Sequence, residues 1–467
     1  MDSINTKPLF ESQQRFINFA LSHTSGYRIF NTSDPGTGKT RASLEAWHQS
    51  PNRKRLLVVA PLSILRPAWG QDIETYFPGV GFRIAHGSSE ERLAAFTSCA
   101  DVVLINHDGV KWIQAAVNDK KLDLKDFSHL IIDEFTAFKH RETQRGHSAL
   151  HLSSRIENMI LLGGTPNSNE VTDIWFPAYL LDRGMRLGDS FFRFRMQVAN
   201  SKQVGPKPNM VKWVERVGAR EWIADKLRDI TFRVTLEECL DMPEHIVNTM
   251  YIDMPMPVMK HYQAMEKFSI TEFDGYMVDA VHAGARAKKL LQILSGAVYR
   301  PDGEIQKVFN DRYELVLDLV EQREHCVVAF NWKHERDGLL AEAKRRGLRY
   351  GVIDGDTPPD MRNTITTQFQ AGELDVIFAH PQSAAHGFTW TRGTTTIWCS
   401  PTYNAEHYQQ FNRRIYRAGQ TQRTETIRIA ARDTCEEAVY NTLDGKMTSM
   451  QDLLALMCDM TRLREAG

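Results

Sequence analysis

The chain alternates short, almost continuous apolar runs with stretches of helical character. In the first half each run is bounded by Gly, Pro, Asn or Asp, residues that interrupt regular structure. Runs that are apolar at nearly every position are typical of strands covered by helices on both faces of a sheet. The runs of the first half are Arg28–Asn31, Arg55–Ala60, Asp101–Asn106, Ser128–Asp133 and Asn158–Gly163.

The same pattern resumes in the second half after a gap. Its runs are His325–Asn331, Tyr350–Ile353, Asp375–His380, Thr394–Ser400 and Thr424–Ala430. Strands that alternate with helices form parallel sheets. A chain of 467 residues also exceeds what one hydrophobic core usually supports. The two sets of runs therefore predict an α/β protein with two parallel-sheet domains.

The intervening stretch, residues 183–300, has a different amino-acid composition. Between Arg183 and Thr235 it holds twelve Lys or Arg residues against five Asp or Glu, with Phe and Trp residues interleaved. Basic residues mixed with aromatics can bind a phosphate backbone and stack on bases. A helical insertion with buried aromatics and solvated charges explains the same composition, so both interpretations stay open.

Composition narrows the class of protein. The net charge of −1 gives no global basic excess, so any nucleic-acid binding must come from local patches. The six cysteines form no CxxC pair, which argues against structural zinc and disulfides. No charged and then apolar leader opens the sequence, and the longest apolar run is about half a membrane span. We therefore expect a soluble, cytoplasmic protein without a membrane partner.

Residues 32–40, TSDPGTGKT, are a candidate phosphate-binding loop. The Walker A template requires a glycine, four free residues and then Gly-Lys-Ser/Thr. Gly38, Lys39 and Thr40 match it, whereas Ser33 replaces the first glycine. The stretch follows a predicted strand and precedes a predicted helix, so backbone N–H groups at the helix N-terminus would face an anion. The alternative is an ordinary glycine-rich turn.

Asp133 and Glu134 follow another predicted strand, 94 residues after Lys39. Ligands of parallel sheets bind at the carboxyl ends of the strands, where both side chains are expected. Asp133 would hold Mg²⁺, and Glu134 would orient or deprotonate an attacking water. A solvated turn is the alternative. Ser63, at another strand exit, could contact phosphates of a polymer, and Thr165, at a further strand exit, could bridge a nucleotide site and the next domain.

Residues 408–420, YQQFNRRIYRAGQ, supply cationic candidates. On one continuous helix Gln410, Arg414 and Arg417 would share a face. Two arginines without a nearby acidic residue suit the charge on a transferring γ-phosphoryl group. A solvated or nucleic-acid-contacting basic face is the alternative.

These motifs, in this order, resemble superfamily 2 helicase-type ATPases of the Swi/Snf group, and the resemblance extends from Leu9 to about Leu443. The compact size and the HPQSAAHG segment resemble phage or prophage members. The sequence departs from the motifs of that group at five positions, but none of these departures removes a catalytic charge. The five residues are Ser12, Ser33, Thr136, Thr389 and Trp390. The matching stretches are LFESQ (9–13), SDPGTGKT (33–40), APLSILRPAW (60–69), DEFTAFK (133–139), GGTPNSNEVTDIW (163–175), RVTLEECLDMPE (233–244), FNW (330–332), IDGDT with Arg362 (353–362), SAAHGFTW (383–390) and QFNRRIYRAGQ (410–420).

The resemblance implies two RecA-like parallel-sheet domains with helical insertions between them. We expect an ATP-binding domain at 1–182, a basic helical insertion at 183–307, a second RecA-like domain at 308–432 and bracing helices at 433–467. ATP and Mg²⁺ are the implied substrate and cofactor. By this resemblance Gln13 would contact the adenine, and Thr40 and Asp133 would bind Mg²⁺. The residues implied to bind the nucleotide phosphates are Asp34, Gly36, Thr37, Gly38, Lys39 and Thr40, and those implied to act in hydrolysis are Lys39, Asp133, Glu134, Gln410, Arg414 and Arg417. Gly387 would lie where the nucleotide state is coupled to the DNA-binding surface.

The implied activity is ATP-dependent translocation on DNA by a monomeric motor that remodels forks, branches or protein–DNA complexes. Predicted DNA contacts are Ser63, Thr165, Asn331, Trp332 and Ser383, and binding through phosphates would be tolerant of sequence. Strand separation on DNA or RNA is one alternative. A catalytically silent module that binds nucleic acid or protein is another, although Lys39, Glu134 and Arg417 are all retained.

Overall fold

The computed structural model describes residues 8–23, 26–164, 170–204, 210–273, 276–280, 283–300, 303–384 and 387–465, without the side chains of residues 273, 276, 283 and 457–465. The strands are β1 Arg28–Asn31, β2 Arg55–Ala60, β3 Phe82–Ala85, β4 Val102–Asn106, β5 Phe127–Asp133, β6 Asn158–Leu162, β7 Ala199–Gln203, β8 Val211–Glu215, β9 Thr231–Phe232, β10 His245–Ile252, β11 Ile270–Phe273, β12 Tyr276–Asp279, β13 Ala297–Tyr299, β14 Ile305–Lys307, β15 Cys326–Ala329, β16 Tyr350–Ile353, β17 Val376–Ala379, β18 Thr395–Trp398 and β19 Thr424–Ala431.

The helices lie between these strands. They are α1 Glu11–Leu21, α2 Lys39–His48, α3 Leu62–Ile64, α4 Gln71–Tyr76, α5 Ser89–Thr97, α6 Gly109–Asn118, α7 Gln144–Ser153, α8 Trp175–Asp182, α9 Phe191–Val198, α10 Ala219–Leu227, α11 Leu236–Cys239, α12 Met256–Phe268, α13 Ala283–Leu294, α14 Asp311–Glu321, α15 Lys333–Arg346, α16 Pro359–Ala371, α17 Ala405–Asn412 and α18 Cys435–Glu465. Within the part of the chain described, no helix has the length and apolar character needed to cross a membrane.

The first large sheet has seven parallel strands in the order β3-β4-β2-β5-β6-β1-β9. All five strands predicted for the first half belong to this sheet. Helices cover both of its faces, and this burial explains why the strands are apolar at almost every position. The edge strand β3 is only partly buried and lacks that signal. Because the strands are parallel, the segments that follow β1, β5 and β6 leave from the same edge of the sheet.

The second large sheet has six parallel strands in the order β10-β19-β18-β15-β17-β16. It contains the five strands predicted for the second half, so the expectation of two parallel-sheet domains is confirmed. Its additional member, β10, pairs with β19 along eight residues.

The chain divides into two compact units. The first unit comprises residues up to Asp241 together with those from Lys446 onward, and the second comprises Met242–Gly445. Helix α18 therefore begins in the second unit and contributes its later turns to the first, where Leu453 is fully buried in the core. The large core of the first unit covers both faces of its sheet.

The stretch predicted as a helical insertion, residues 183–307, is mixed in structure. It supplies β9 to the first sheet and β10 to the second, and it contains three antiparallel pairs, β7–β8, β11–β12 and β13–β14. Helices α9 to α13 lie between these strands. The boundary between the two units falls inside this stretch, at Asp241.

A fully buried ion pair ties the start of α14 to the start of α18 in the second unit. Arg312 Nη2 lies 2.7 Å from Glu436 Oε2, and neither side chain is exposed. Arg312 also donates to the carbonyl of Cys399, and Glu436 accepts from the N–H of Ala431, each at 2.7 Å. The pair therefore joins two helices to the ends of two neighbouring strands, β18 and β19.

We expect Glu436→Gln to lower the free energy of unfolding of the second unit by about 3–5 kcal/mol, because it leaves a buried guanidinium without its counter-charge. Urea unfolding followed by near-UV circular dichroism would measure the change. Asp253→Asn is the matched control in the same unit, since Asp253 pairs with Arg432 on the surface with more than half of each side chain exposed. We expect that control to change stability by less than about 1 kcal/mol. Equal losses in the two variants would contradict this assignment.

Candidate active site

The candidate phosphate loop connects β1 to α2 at the carboxyl edge of the first sheet. Gly36 and Gly38 have φ values of 90° and 77°, a region that side chains rarely adopt, and Gly38 caps the N-terminus of α2. Ser33, which replaces the template's first glycine, accepts a hydrogen bond from the N–H of Val234 at 3.1 Å. The departure from the template therefore has a structural role, because the serine attaches the loop to the neighbouring segment.

That segment holds the loop through a second, ionic contact. Arg233 Nη2 lies 2.9 Å from Asp34 Oδ1, and both side chains are buried. The other oxygen, Asp34 Oδ2, accepts from the N–H of Leu236 at 3.3 Å, and the N–H of Asp34 donates to the carbonyl of Val234 at 3.1 Å. Asp34, predicted as a nucleotide ligand, thus anchors the loop. Sequence reasoning assigned no role to Arg233.

Lys39 begins α2 and points back over the loop. Its Nζ donates to the carbonyl of Ser33 at 2.6 Å and to that of Asp34 at 2.9 Å. Burial lowers the pKa of Lys39, while the carboxylates of Glu134, Asp133 and Asp34 oppose that shift. The ammonium group is therefore held close to the two acidic residues predicted to share its site.

Gln13 lies against the loop from α1. Its Nε2 donates to the carbonyl of Gly38 at 3.1 Å, and its Oε1 accepts from the N–H of Phe10 at 2.9 Å. A Cβ atom at position 38 would stand 2.2 Å from Nε2 of Gln13, so only glycine allows this approach. The structure brings together Gln13 and Lys39, which are far apart in the sequence, at one loop.

Asp133 ends β5, and its two carboxylate oxygens have different donors. Oδ1 accepts from the N–H of Glu134, and Oδ2 accepts from the indole Nε1 of Trp69, each at 3.0 Å. Burial raises the pKa of Asp133, while the Trp69 hydrogen bond and Lys39 act in the opposite direction. Trp69 is fully buried in a π-helical turn, Leu65–Gly70. Its contact with Asp133 is a feature that sequence reasoning missed.

Glu134 has left-handed backbone geometry, with φ 52° and ψ 58°. This conformation is unusual for a residue with a side chain, and such strain concentrates at functional sites. Burial lowers the pKa of the adjacent His107 to about 4. As a neutral ring, His107 can donate from Nε2 to the main-chain oxygen of Asp133, which lies 2.8 Å away. Trp69 and His107 therefore both hold the turn that carries the two carboxylates, through contacts with Asp133.

Two glycines, Gly163 and Gly164, follow β6, the strand that lies between β1 and β5 in the sheet. A Cβ atom at Gly163 would stand 3.0 Å from the ring of Phe135, and one at Gly164 would stand 3.2 Å from Pro35. Side chains there would push apart the acidic turn and the phosphate loop. Thr165, predicted as a DNA contact, lies outside the described residues.

Thr40 and Asp133 fit the requirements of a Mg²⁺ site. The Thr40 hydroxyl is partly exposed and has no hydrogen-bond partner among the residues that the structure describes. Hydroxyl and carboxylate oxygens are the ligands that Mg²⁺ prefers, and it typically takes one or two carboxylates together with substrate phosphates. The donor set at this edge thus suits a nucleotide-bound metal ion.

In the second unit, Arg414 and Arg417 meet at one carbonyl oxygen. Arg414 Nη1 and Arg417 Nη1 donate to the carbonyl of Phe388 at 3.0 Å and 2.8 Å. The prediction that both share a helical face with Gln410 is wrong, because α17 ends at Asn412 and the arginines follow in turns. Burial lowers the pKa of Arg417. Tertiary contacts, not helix periodicity, bring the two guanidinium groups together.

Gly387, next to Phe388, is exposed and has a φ of 84°. The other predicted second-unit contacts, Asn331, Trp332 and Ser383, line one cavity of about 620 Å³. Asn331 Nδ2 donates to the carbonyl of Ser400 at 3.0 Å, so part of its role is structural. The charged residues that line the cavity are Lys288, Lys289, Lys333 and Arg336 together with Asp354 and Asp356. In the first unit Ser63 is exposed.

Comparison with known proteins identifies similar chains. The SNF2-related domain family matches residues 13–296, and the helicase conserved C-terminal domain family matches residues 311–419. Protein p41 of Acyrthosiphon pisum secondary endosymbiont phage 1 is 27% identical over 90% of this chain and 92% of its own length. A SWI/SNF-related regulator of chromatin, subfamily A-like protein 1 homolog, of Caenorhabditis elegans is 22% identical over 96% of this chain.

The chain spans 62% of the length of that Caenorhabditis relative and 39% of an ATP-dependent helicase of Mycoplasma genitalium, to which it is 22% identical. Among solved structures, a Sulfolobus solfataricus SWI2/SNF2 ATPase core in complex with dsDNA is 19% identical, with a TM-score of 0.44 over 98% of this chain and 95% of that chain.

The Trp69–Asp133 contact is testable by a double-mutant cycle. We expect Trp69→Phe and Asp133→Ala to be coupled by about 1.5–3 kcal/mol in the free energy of unfolding, because the hydrogen bond joins an indole to a buried carboxylate. The control pair is Trp47→Phe with Asp133→Ala. Trp47 is equally buried, but it donates to the carbonyl of Lys54, before β2. We expect the control pair to be additive within about 0.5 kcal/mol. Additivity in the Trp69 pair would show that this contact contributes nothing.

Proposed function

This chain belongs to the SNF2-related ATPases of superfamily 2, and from that premise we propose that it hydrolyses ATP to translocate along DNA. The observation that carries the proposal is the convergence of Lys39, Asp133 and Glu134 at one edge of the first sheet, where their charges act on one another. A lysine on a glycine-rich loop opposite two carboxylates is the arrangement that phosphoryl transfer to water requires.

We assign the phosphate loop to the triphosphate of ATP. The N–H groups in the first turn of α2 would face the anion together with the Lys39 ammonium group. Lys39 would exchange its hydrogen bonds with the loop carbonyls for the β- and γ-phosphates. Gln13, which contacts the loop at Gly38, is proposed to read the adenine ring.

Thr40 and Asp133 would hold Mg²⁺. The ion, when bound, neutralises charge on the β- and γ-phosphates. Trp69 and the N–H of Glu134 fix the orientation of the Asp133 carboxylate. Glu134 is proposed to orient the attacking water and to accept its proton. The left-handed backbone of Glu134 turns this side chain away from the direction that a continuing strand would give it.

Arg414 and Arg417 are proposed to stabilise the negative charge that develops on the transferring γ-phosphoryl group, and Gln410 is proposed to support them. Guanidinium groups suit this role because they remain charged and present several donors in a fixed plane. Their common attachment to the carbonyl of Phe388 would link them to Gly387 in the same segment. Nucleotide state and polymer contacts could thereby be coupled.

DNA is the proposed polymer. Support from the chain itself comes from the cavity of the second unit, which combines Trp332 with Lys288, Lys289 and Lys333, while its Arg336 pairs with Asp354. Lys288 Nζ lies 5.7 Å from the centre of the Trp332 ring. A flat ring beside several cations can contact a base and neighbouring phosphates together. Binding through such contacts would be sensitive to salt and tolerant of sequence.

The test of ATP hydrolysis uses Glu134→Gln. We expect it to retain ATP binding and to lower the DNA-stimulated hydrolysis rate on the order of 10²–10⁴-fold, because it removes the proposed base and keeps its size. Lys39→Ala should weaken ATP binding as well. The control is Lys125→Gln, because the side chain of Lys125 is about three-quarters exposed.

Hydrolysis rates would be measured with duplex, forked, four-way and single-stranded DNA and with RNA. A rate indifferent to every nucleic acid would exclude a motor, and strand-displacement and triplex-displacement assays would distinguish unwinding from translocation.

The arginines are tested separately. We expect Arg417→Ala and Arg414→Ala each to lower hydrolysis on the order of 10³-fold, the lower end of the effect of such arginines, with little change in ATP affinity. Arg423→Ala is the control, because Arg423 forms an exposed ion pair with Glu244. Unfolding curves of all three variants would detect a merely structural loss. Full hydrolysis in stable Arg414 and Arg417 variants would remove these residues from the catalytic set.

A further inference from the structure

The basic and aromatic stretch of the first unit separates into a buried part and an exposed part. Phe194 is 2% exposed and packs near Trp222, so these two aromatics belong to the core. In contrast, Phe192 is 60% exposed on α9, and Met196, one turn later, is 42% exposed. The helix therefore presents a large aromatic side chain to solvent next to the two-stranded ribbon β7–β8.

Arg195 lies at the centre of this exposed part. Its guanidinium carbon is 4.0 Å from the centre of the Trp213 ring on β8, 5.4 Å from that of Phe191 and 5.9 Å from that of Phe192. We call Phe191, Phe192, Arg195 and Trp213 the aromatic–arginine cluster. Such a cluster offers flat apolar surfaces beside a positive charge, and Phe191 is braced by the ring of Trp175.

The opposite face of the ribbon carries a pair of like charges. Lys202 on β7 stands directly across from Lys212 on β8, and both are exposed. Like charges directly opposite each other destabilise a β-ribbon. Among the described residues neither lysine has an ion-pair partner, whereas the one nearby carboxylate, Glu215, pairs with Arg220 at 2.6 Å. An anion bound at this face would relieve the repulsion.

Residues 191–216 hold six Lys or Arg and a single Glu. A ligand for this region must therefore supply negative charge and flat rings together. Single-stranded nucleic acid supplies both, since its bases stack on aromatic side chains and its phosphates pair with basic ones. An intact duplex supplies the phosphates but keeps its bases stacked inside. An acidic protein would match the charge but gives no reason for the arrangement around Arg195.

We propose that the aromatic–arginine cluster, with Lys202 and Lys212 behind it, binds unpaired nucleotides where DNA branches. The proposal rests on the proposed function of a DNA motor and specifies its substrate: forked or gapped DNA is bound more tightly than an uninterrupted duplex. The cluster is built from α9 and β8 of the first unit, whereas the cavity with Trp332 belongs to the second unit, so the cluster would add a second contact with DNA.

The first experiment measures binding without ATP. Fluorescence anisotropy would compare a labelled oligo(dT) strand, a fork with single-stranded arms and a blunt duplex, using the full chain and Phe192→Ala. We expect the variant to bind the strand and the fork roughly tenfold more weakly, within the range that loss of one stacked base produces, and to bind the duplex as before. Phe192→Trp should restore binding, because it keeps a stacking surface. The control is Met185→Ala, at a side chain that is 80% exposed outside the cluster.

The lysines give an independent readout. Lys202→Gln with Lys212→Gln should reduce the slope of log affinity against log salt by about 1.4 on single strands, because each lost phosphate contact on a single strand contributes about 0.7. An unchanged slope, or equal losses on blunt duplex and fork in Phe192→Ala, would overturn the proposal. So would binding of all three DNAs by every variant at the affinity of the unaltered chain. Because these assays need no hydrolysis, they separate failure of the cluster from failure of the motor, which the ATPase rates report.

Discussion

The buried ion pair between Arg233 and Asp34 is the contact on which the geometry of the phosphate loop depends. A glycine-rich loop has many accessible conformations, and a site for a triphosphate needs one of them. Arg233 and the neighbouring main-chain groups of Val234 and Leu236 occupy both oxygens of Asp34 and the side chain of Ser33. The loop is thereby attached to β9 on one side, while Gln13 covers Gly38 on the other. The backbone that carries Lys39 is thereby fixed, as its proposed role at the phosphates would require.

Much of the fold was predictable because the central strands are buried on both faces and read as apolar runs. The strands of the two large sheets that were missed are those without that signal: β9 has two residues, and the edge strands β3 and β10 are only partly buried. The motifs also singled out the glycine-rich loop and the acidic turn, whose charged side chains the structure places close together. Their partners could not be predicted, since the Trp69–Asp133 and Arg233–Asp34 contacts join residues 64 and 199 positions apart. No local pattern encodes such pairs.

Arg414 and Arg417 show how a correct grouping can rest on an incorrect reason. Helical spacing placed them on one face, yet the helix ends before either residue. They converge because the turn that follows α17 folds over the segment of Phe388, whose carbonyl accepts from both. Gly387 precedes Phe388 in the chain. A shift of this segment would therefore move Gly387 and both arginines together. The roles proposed for them thus depend on one short piece of main chain.

The position of Arg233 in the chain has a consequence for synthesis. The loop at residues 33–40 leaves the ribosome roughly two hundred residues before its ionic partner, and Leu453, another member of the same core, is made after the whole of the second sheet. Domains usually fold as units while a chain is translated, the N-terminal one first. Here the core of the first unit includes Leu453, so this core is completed only after every strand of the second sheet has been made. We therefore expect the first unit, although it begins the sequence, to reach its final packing after the second sheet has formed.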